Sequence, residues 1–237
     1  MAGSLLEVDG VVKRFGGFTA LNQVTLQVKA GERFGLIGPN GSGKTTLINC
    51  VSGSLHADAG RIVFDGRDIT TLPAHRRTRL GIARSFQIPK PFTSMSVRDN
   101  LGIPLENAGH AHGGGAGVDE ILREIGLEAK AGLRPGRLTQ IEMRKLELAR
   151  AMAARPKLLI SDEAMAGLSS SEVDEVLDLL LKLASQDITI IMIEHIMQAV
   201  MRFSERVMCL DAGRIIAIGT PSEVMANQRV QEAYLGT

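Results

Sequence analysis

The chain has 237 residues, a formal net charge of +1, 3% aromatic residues with no Trp and one Tyr, and two cysteines. This length suits one large domain or two small ones. The near-neutral charge gives no broad attraction to nucleic acid or anionic lipid, and the few aromatics argue against a base-stacking platform. Cys50 and Cys209 cannot form a disulfide framework and read as small core residues in a reducing compartment. Residues 1–7 show no basic segment followed by a long apolar one, and no apolar run approaches the length that spans a bilayer. The expectation is a cytoplasmic protein that reaches a membrane only through a partner.

Residues 5–30 alternate apolar and polar, through Leu6 and Val8 and then Val24, Leu26 and Val28, as paired half-buried strands do. Arg33 to Ile37 reads as a short buried strand, and Thr45 to Val51 as the helix that follows it. Gly60 to Gly66 is a further strand closed by a turn. From about Ile88 to Arg137 there is no strand signal. Pro89, Pro91 and Pro104 punctuate the stretch, and Val118, Ile121, Leu122 and Ile125 predict a short amphipathic helix ending at Gly126. His110 and His112 lie in a Gly-rich loop without a nearby thiol or carboxylate, and read as a solvated tip rather than a metal site. Residues 157–161 and 188–193 are short apolar runs suited to buried parallel strands. Between them Val173, Val176, Leu177, Leu180 and Leu181 keep helical spacing behind a Ser169-x-x-Glu172 capping signal. Strand, helix, strand implies a right-handed crossover and an α/β core carrying a small helical insert.

Gly38-Pro39-Asn40-Gly41-Ser42-Gly43-Lys44-Thr45-Thr46 matches the phosphate-binding loop of nucleoside triphosphatases. Its glycines let the backbone curl so that N–H groups point at an anion. Lys44 adds charge near the β- and γ-phosphates, and the Thr45 hydroxyl is a Mg²⁺ ligand. Asp162-Glu163 stands at the carboxyl end of the strand 158–161, the edge at which open α/β sheets bind ligands. Asp162 is the Mg²⁺ holder and Glu163 the residue that polarises the attacking water. His195 follows the second strand and can reach a γ-phosphate. Gln87 can sense Mg²⁺ or the water where the insert begins, and Phe15 reads either as an adenine stack or as an ordinary core residue.

Together these residues resemble the nucleotide-binding subunit of an ATP-binding-cassette (ABC) transporter, over essentially the whole chain. Arg14 to Gly17, Gly60 to Gly66, Gly81 to Gln87, Ile193-Glu194-His195 and Ala233 to Gly236 are similar to the ATPases of branched-chain amino-acid importers. The resemblance implies a P-loop NTPase core with a RecA-like mixed sheet and an antiparallel β subdomain. It divides the chain into a nucleotide-binding core of 1–87 and 151–237 and a helical subdomain of 88–150. It also implies ATP and Mg²⁺ as ligands, a second ATPase subunit sandwiching two ATP molecules, permease subunits and, indirectly, an extracytoplasmic solute-binding protein, with no nucleic acid. The chain is then peripheral on the inner face of the cell membrane. Branched-chain amino acids are the default cargo, with urea, short amides and small carboxylates open. The competing readings are a non-transport ABC ATPase acting on nucleic acid or the ribosome, and a GTPase or small-molecule kinase. The single cassette without basic arms weighs against the first, and the missing Asn-Lys-x-Asp motif weighs against a GTPase.

The chain departs from the family at its signature, Leu-Ser-Gly-Gly-Gln, which aligns with Leu138-Thr139-Gln140-Ile141-Glu142. Thr139 keeps a hydroxyl for the γ-phosphate, but both glycines are replaced and Glu142 puts a carboxylate at the helix end that should receive phosphate. The expectation is weaker hydrolysis in the partner's site, and a heterodimer with a second ATPase that carries a full signature. Ala164 stands where the family often has Pro, and Ser169 where it often has Asp.

Overall fold

Alternation of apolar and polar residues sets the first sheet. β1 (Ser4–Phe15) and β2 (Phe18–Lys29) pair antiparallel, with Leu6 opposite Val28 and Val8 opposite Leu26. These four side chains are all buried, because a period of two sends one row of each strand to the same face. β3 (Arg33–Ile37) and α1 (Lys44–Ser52) follow, then β4 (Ala59–Phe64) and β5 (Arg67–Asp68). The sheet order is β2-β1-β4-β5. The computed structural model describes residues 3–86, 88–107 and 117–235.

The chain continues through α2 (Ala74–Leu80), β6 (Ile82–Ser85), α3 (Val97–Asn107), α4 (Val118–Glu124), two 3₁₀ turns and α5 (Gln140–Ala153). It ends with β7 (Leu158–Asp162), α6 (Ser170–Ala184), β8 (Thr189–Ile193), α7 (Met197–Phe203), β9 (Arg206–Asp211), β10 (Arg214–Gly219), α8 (Pro221–Ala226) and α9 (Gln228–Leu235). The second sheet has the order β10-β9-β3-β8-β7-β6, parallel throughout except for the antiparallel β9–β10 pair. β7 and β8 are wholly buried, as strands covered on both faces must be. One apolar cluster lies between the first sheet, α1 and the near face of the second sheet, and another between the far face and helices α3 to α7. Each fully buried aliphatic side chain in them, such as Leu36 or Ile160, contributes about 1.5–3 kcal/mol.

The expected strands at 33–37, 158–161 and 188–193 and the expected helices after Gly43 and Ser169 are all present. α6 starts at a capping box between Ser169 and Glu172. Two features differ from the sequence reading. Pro104 punctuates nothing, because α3 runs through it to Asn107. The helix loses one backbone bond there, while Leu101 and Leu105 pack it into the core and the Asn107 amide bonds the Ile103 carbonyl. Within 81–87, Ile82 to Ser85 forms the edge strand β6 beside β7, a pairing that only the folded sheet supplies. The His110/His112 tip lies outside the described residues.

Candidate nucleotide site

The register of the parallel strands assembles the site. β8 lies between β3 and β7, with Leu36 beside Ile193 and Asp162 beside Ile193. The phosphate loop after β3, the acidic pair at the end of β7 and His195 after β8 therefore emerge side by side at one edge of the sheet.

The loop is curled by glycines in conformations that other residues resist. Gly38 has φ +145°, and a Cβ there would lie 2.1 Å from the Leu210 carbonyl oxygen. Gly43 has φ +108°, and its Cβ would lie 2.7 Å from the Ala20 carbonyl, so the β1–β2 hairpin abuts the loop. α1 starts at Gly43 with no side-chain cap, whereas α5 and α8 start with capping boxes. The first N–H groups of α1 are thus open to an anion. The C-terminal end of α1 is fixed by Arg77, a buried guanidinium that donates to the Cys50 and Val51 carbonyls at 2.6 and 2.9 Å. Lys44 is itself buried, donating to the Gly38 and Pro39 carbonyls at 2.6 and 3.0 Å. Burial lowers its pKa, and Glu163, Cys209 and Asp162 oppose that. Ser42 Oγ is buried with no partner among the described residues, a polar group in the wall of an anion cradle.

Asp162 and Glu163 face different neighbours. The Asp162 carboxylate accepts from Arg84 of β6 at 2.5 Å, and Arg84 also donates to Asn49 of α1 at 2.6 Å. Glu163 has φ +48°, a sparsely populated region for a residue with a Cβ, and its N–H donates to the Ile193 carbonyl at 2.9 Å. Conformations of this kind cost about 1 kcal/mol or more and concentrate at functional sites. The Glu163 carboxylate lies 2.9 Å from His195 Nε2. Between β8 and His195, Glu194 is buried and accepts from the Met165 N–H at 2.9 Å. Burial raises its pKa to about 7, with the nearby Glu163 charge adding to this.

Thr45 and Asp162 suit Mg²⁺, since that ion takes one or two protein oxygens and completes its shell with phosphate and water. Among the described residues no group of three or more His, Cys, Asp or Glu is assembled. Phe15 is half exposed at the end of β1, with Lys13 Nζ 5.5 Å from its ring centre, and is not a core residue. Gln87 lies outside the described residues.

Thr139 caps α5 and is bonded to Glu142 of its own helix, its hydroxyl accepting from the Glu142 N–H at 3.4 Å. The Glu142 carboxylate bonds the Thr139 N–H at 2.9 Å and Lys130 at 2.5 Å. The expected carboxylate therefore does occupy the helix end. Lys130 chiefly, and the Thr139 N–H, hold its pKa below the usual range. Ser169 donates to Glu172 at 2.7 Å and is spent on capping its own helix.

Four residues at the site escape the sequence reading: Arg84, Asn49, Glu194 and Tyr234. Tyr234 of α9 accepts from the Gly38 N–H at 2.8 Å. Arg84, Glu194 and Tyr234 lie in segments that carry the family resemblance, but nothing in the sequence assigns them these partners, and Asn49 carries no signal at all.

The family model described as "ABC transporter" matches residues 21–166, and that of "Branched-chain amino acid ATP-binding cassette transporter" matches residues 214–237. The chain is 36% identical over 257 residues to the high-affinity branched-chain amino acid transport ATP-binding protein BraF of Pseudomonas aeruginosa, covering 100% of this chain and 99% of that one. It is 34% identical over 253 residues to LivG of Escherichia coli, which carries the same description, at 100% and 99% coverage. Among solved structures, the ADP conformation of MJ1267, an ATP-binding cassette of an ABC transporter, superposes with a TM-score of 0.88 at 32% identity, covering 99% of this chain and 100% of that one. Among the described residues no helix is long and apolar enough to cross a membrane. The chain belongs to the ATP-binding proteins of the ABC transporter family, in the group of the branched-chain amino-acid transporters.

Proposed function

We propose that this chain binds and hydrolyses ATP to drive import of branched-chain amino acids through permease partners. The observation that carries the reading is the meeting of three strand ends at one sheet edge: the curled loop with Lys44, the Asp162-Glu163 pair, and His195 placed 2.9 Å from Glu163. Residues 38–46 cradle the phosphates with backbone N–H groups, and Lys44 supplies the positive charge beside them. Thr45 and Asp162 would hold Mg²⁺, and Gln87 is a further candidate ligand; an ion there would neutralise charge on the phosphoryl oxygens. Glu163 orients water for in-line attack, and His195 fixes the Glu163 carboxylate and meets the γ-phosphate. Phe15 stacks on the adenine.

The second site belongs to a partner ATPase, towards which the Thr139 hydroxyl is presented. The partner we favour is a different subunit with a glycine-bearing signature, because α5 here begins with side chains where close approach of phosphate needs none. Residues 88–150 carry the motion to the permease. The exposed Phe86, Ile88 and Phe92, beside a groove of about 230 Å³ lined in part by Pro104 and Arg150, suit its docking segment. The chain is peripheral to the inner face of the cell membrane, held there by its permease partners. A solute-binding protein outside the membrane selects the cargo.

The test is reconstitution in proteoliposomes with the permease subunits, the second ATPase and the binding protein. ATP-dependent uptake of labelled leucine that disappears in Lys44→Ala is expected. Uptake that persists in that variant, or no binding of Mg·ATP to the chain by calorimetry, overturns the reading.

A further inference from the structure

The C-terminal helix reaches the phosphate loop. Gly38 is bonded at both of its polar groups: its N–H to the Tyr234 hydroxyl at 2.8 Å, and its carbonyl to Lys44 Nζ at 2.6 Å. A second support comes from the β9–β10 turn, where the Gly213 N–H donates to the Ser42 carbonyl at 2.8 Å. α9 is itself anchored, because Val230 is buried in a small core with Ile37, Cys209 and Val224. Ile37 is the residue just before Gly38, so the core that seats α9 also seats the root of the loop. Burial raises the Tyr234 phenol to about 12, which keeps it neutral at ordinary pH.

We propose that Tyr234 is a positioning residue for nucleotide binding: its hydroxyl holds Gly38, and with it the carbonyl that Lys44 grips, in the curled form that receives a triphosphate. α9 is then a strap on the loop, and the chain's 214–237 segment has a role in the ATP site. The inference rests on the phosphate-loop reading given above.

Tyr234 is the only tyrosine and there is no tryptophan, so intrinsic emission reports this residue alone. Mg·tripolyphosphate, which does not absorb in the tyrosine band, serves as the probe on the full chain. A saturable change in emission is expected, with the same midpoint as binding measured by calorimetry. Tyr234→Phe keeps the ring and removes only the acceptor, and one lost hydrogen bond weakens binding about fivefold. KM for Mg·ATP rises by the same factor while kcat at saturation holds, a split that a general loss of folded protein does not produce. Tyr234→Phe binding within about twofold of the parent overturns the proposal. Lys44→Ala separates the two readings. If it alone loses binding, only the role of Tyr234 falls; if neither variant loses binding, the phosphate-loop reading falls with it.

Discussion

The Gln140 side chain donates to the Gly167 carbonyl at 3.2 Å, tying the first residue of the signature helix to the loop that follows Glu163. Arg144, one turn along α5, donates to the neighbouring Ala166 carbonyl at 3.1 Å. Glu194 holds the same loop from the other side through the Met165 N–H. The helix that we propose to face a partner's nucleotide and the loop that follows Glu163 are therefore bonded to each other.

Restoring glycine at positions 140 and 141 tests what the bulkier residues do. Gln140→Gly with Ile141→Gly opens the helix end and cuts the tie to Gly167. Stability should fall by up to about 1 kcal/mol per glycine. ATP turnover of the assembled dimer should nevertheless rise, because the backbone can then approach the partner's γ-phosphate. Turnover unchanged within error, measured on purified complexes, rules out the signature as the weak element.

The Glu163–His195 contact makes two variants informative. Glu163→Gln keeps the shape and removes the proposed base, so nucleotide binding should persist while turnover falls by about 10² or more. A closed, ATP-loaded dimer should accumulate, visible by size-exclusion chromatography with Mg·ATP. His195→Ala leaves the proposed base but removes the imidazole 2.9 Å from its carboxylate, so kcat should fall with little change in nucleotide Kd. Normal turnover in Glu163→Gln shows that another group activates the water.

Asp162 and Arg84 form an ion pair in which both side chains are largely buried, at 9% and 10% exposure. Arg84→Met leaves the carboxylate without its partner, and breaking such a pair costs about 3–5 kcal/mol. A divalent cation can replace the lost positive charge. Mg²⁺ should therefore raise the melting temperature of Arg84→Met more than that of the parent, without nucleotide present. Equal Mg²⁺ shifts in both proteins remove Asp162 from the metal site.

Much of this arrangement is legible in the sequence, and what is legible is local. The phosphate loop spans nine consecutive residues whose types follow from anion binding. The strand before Asp162-Glu163 shows as an apolar run, and the edge rule for parallel sheets then places the pair. Arg84 and Tyr234 are different in kind. Arg84 meets Asp162 across 78 residues and Tyr234 meets Gly38 across 196, and neither pairing leaves a periodicity to read. Pro104 misleads for a related reason, since the packing that lets α3 run through it comes from α4 and α5 rather than from its neighbours in the chain. Glu142 looks hostile to phosphate as an isolated residue, and only the fold supplies Lys130.

Glu194 makes a prediction about pH. Burial raises its folded pKa to about 7 from an ordinary value of 4.5, so between these values the folded chain binds more protons than the unfolded one. Unfolding free energy then falls as pH rises across that window, by an amount on the order of 2–3 kcal/mol, and levels above it. Glu194→Gln mimics the protonated form and keeps an oxygen to accept the Met165 N–H. It should match the parent near about pH 5 and exceed it near about pH 8. Urea unfolding across that range, in both proteins, measures the difference. Parallel stability curves for the two proteins show that Glu194 is ionised in the folded chain at the same pH as in the unfolded one, and that its burial carries no such cost.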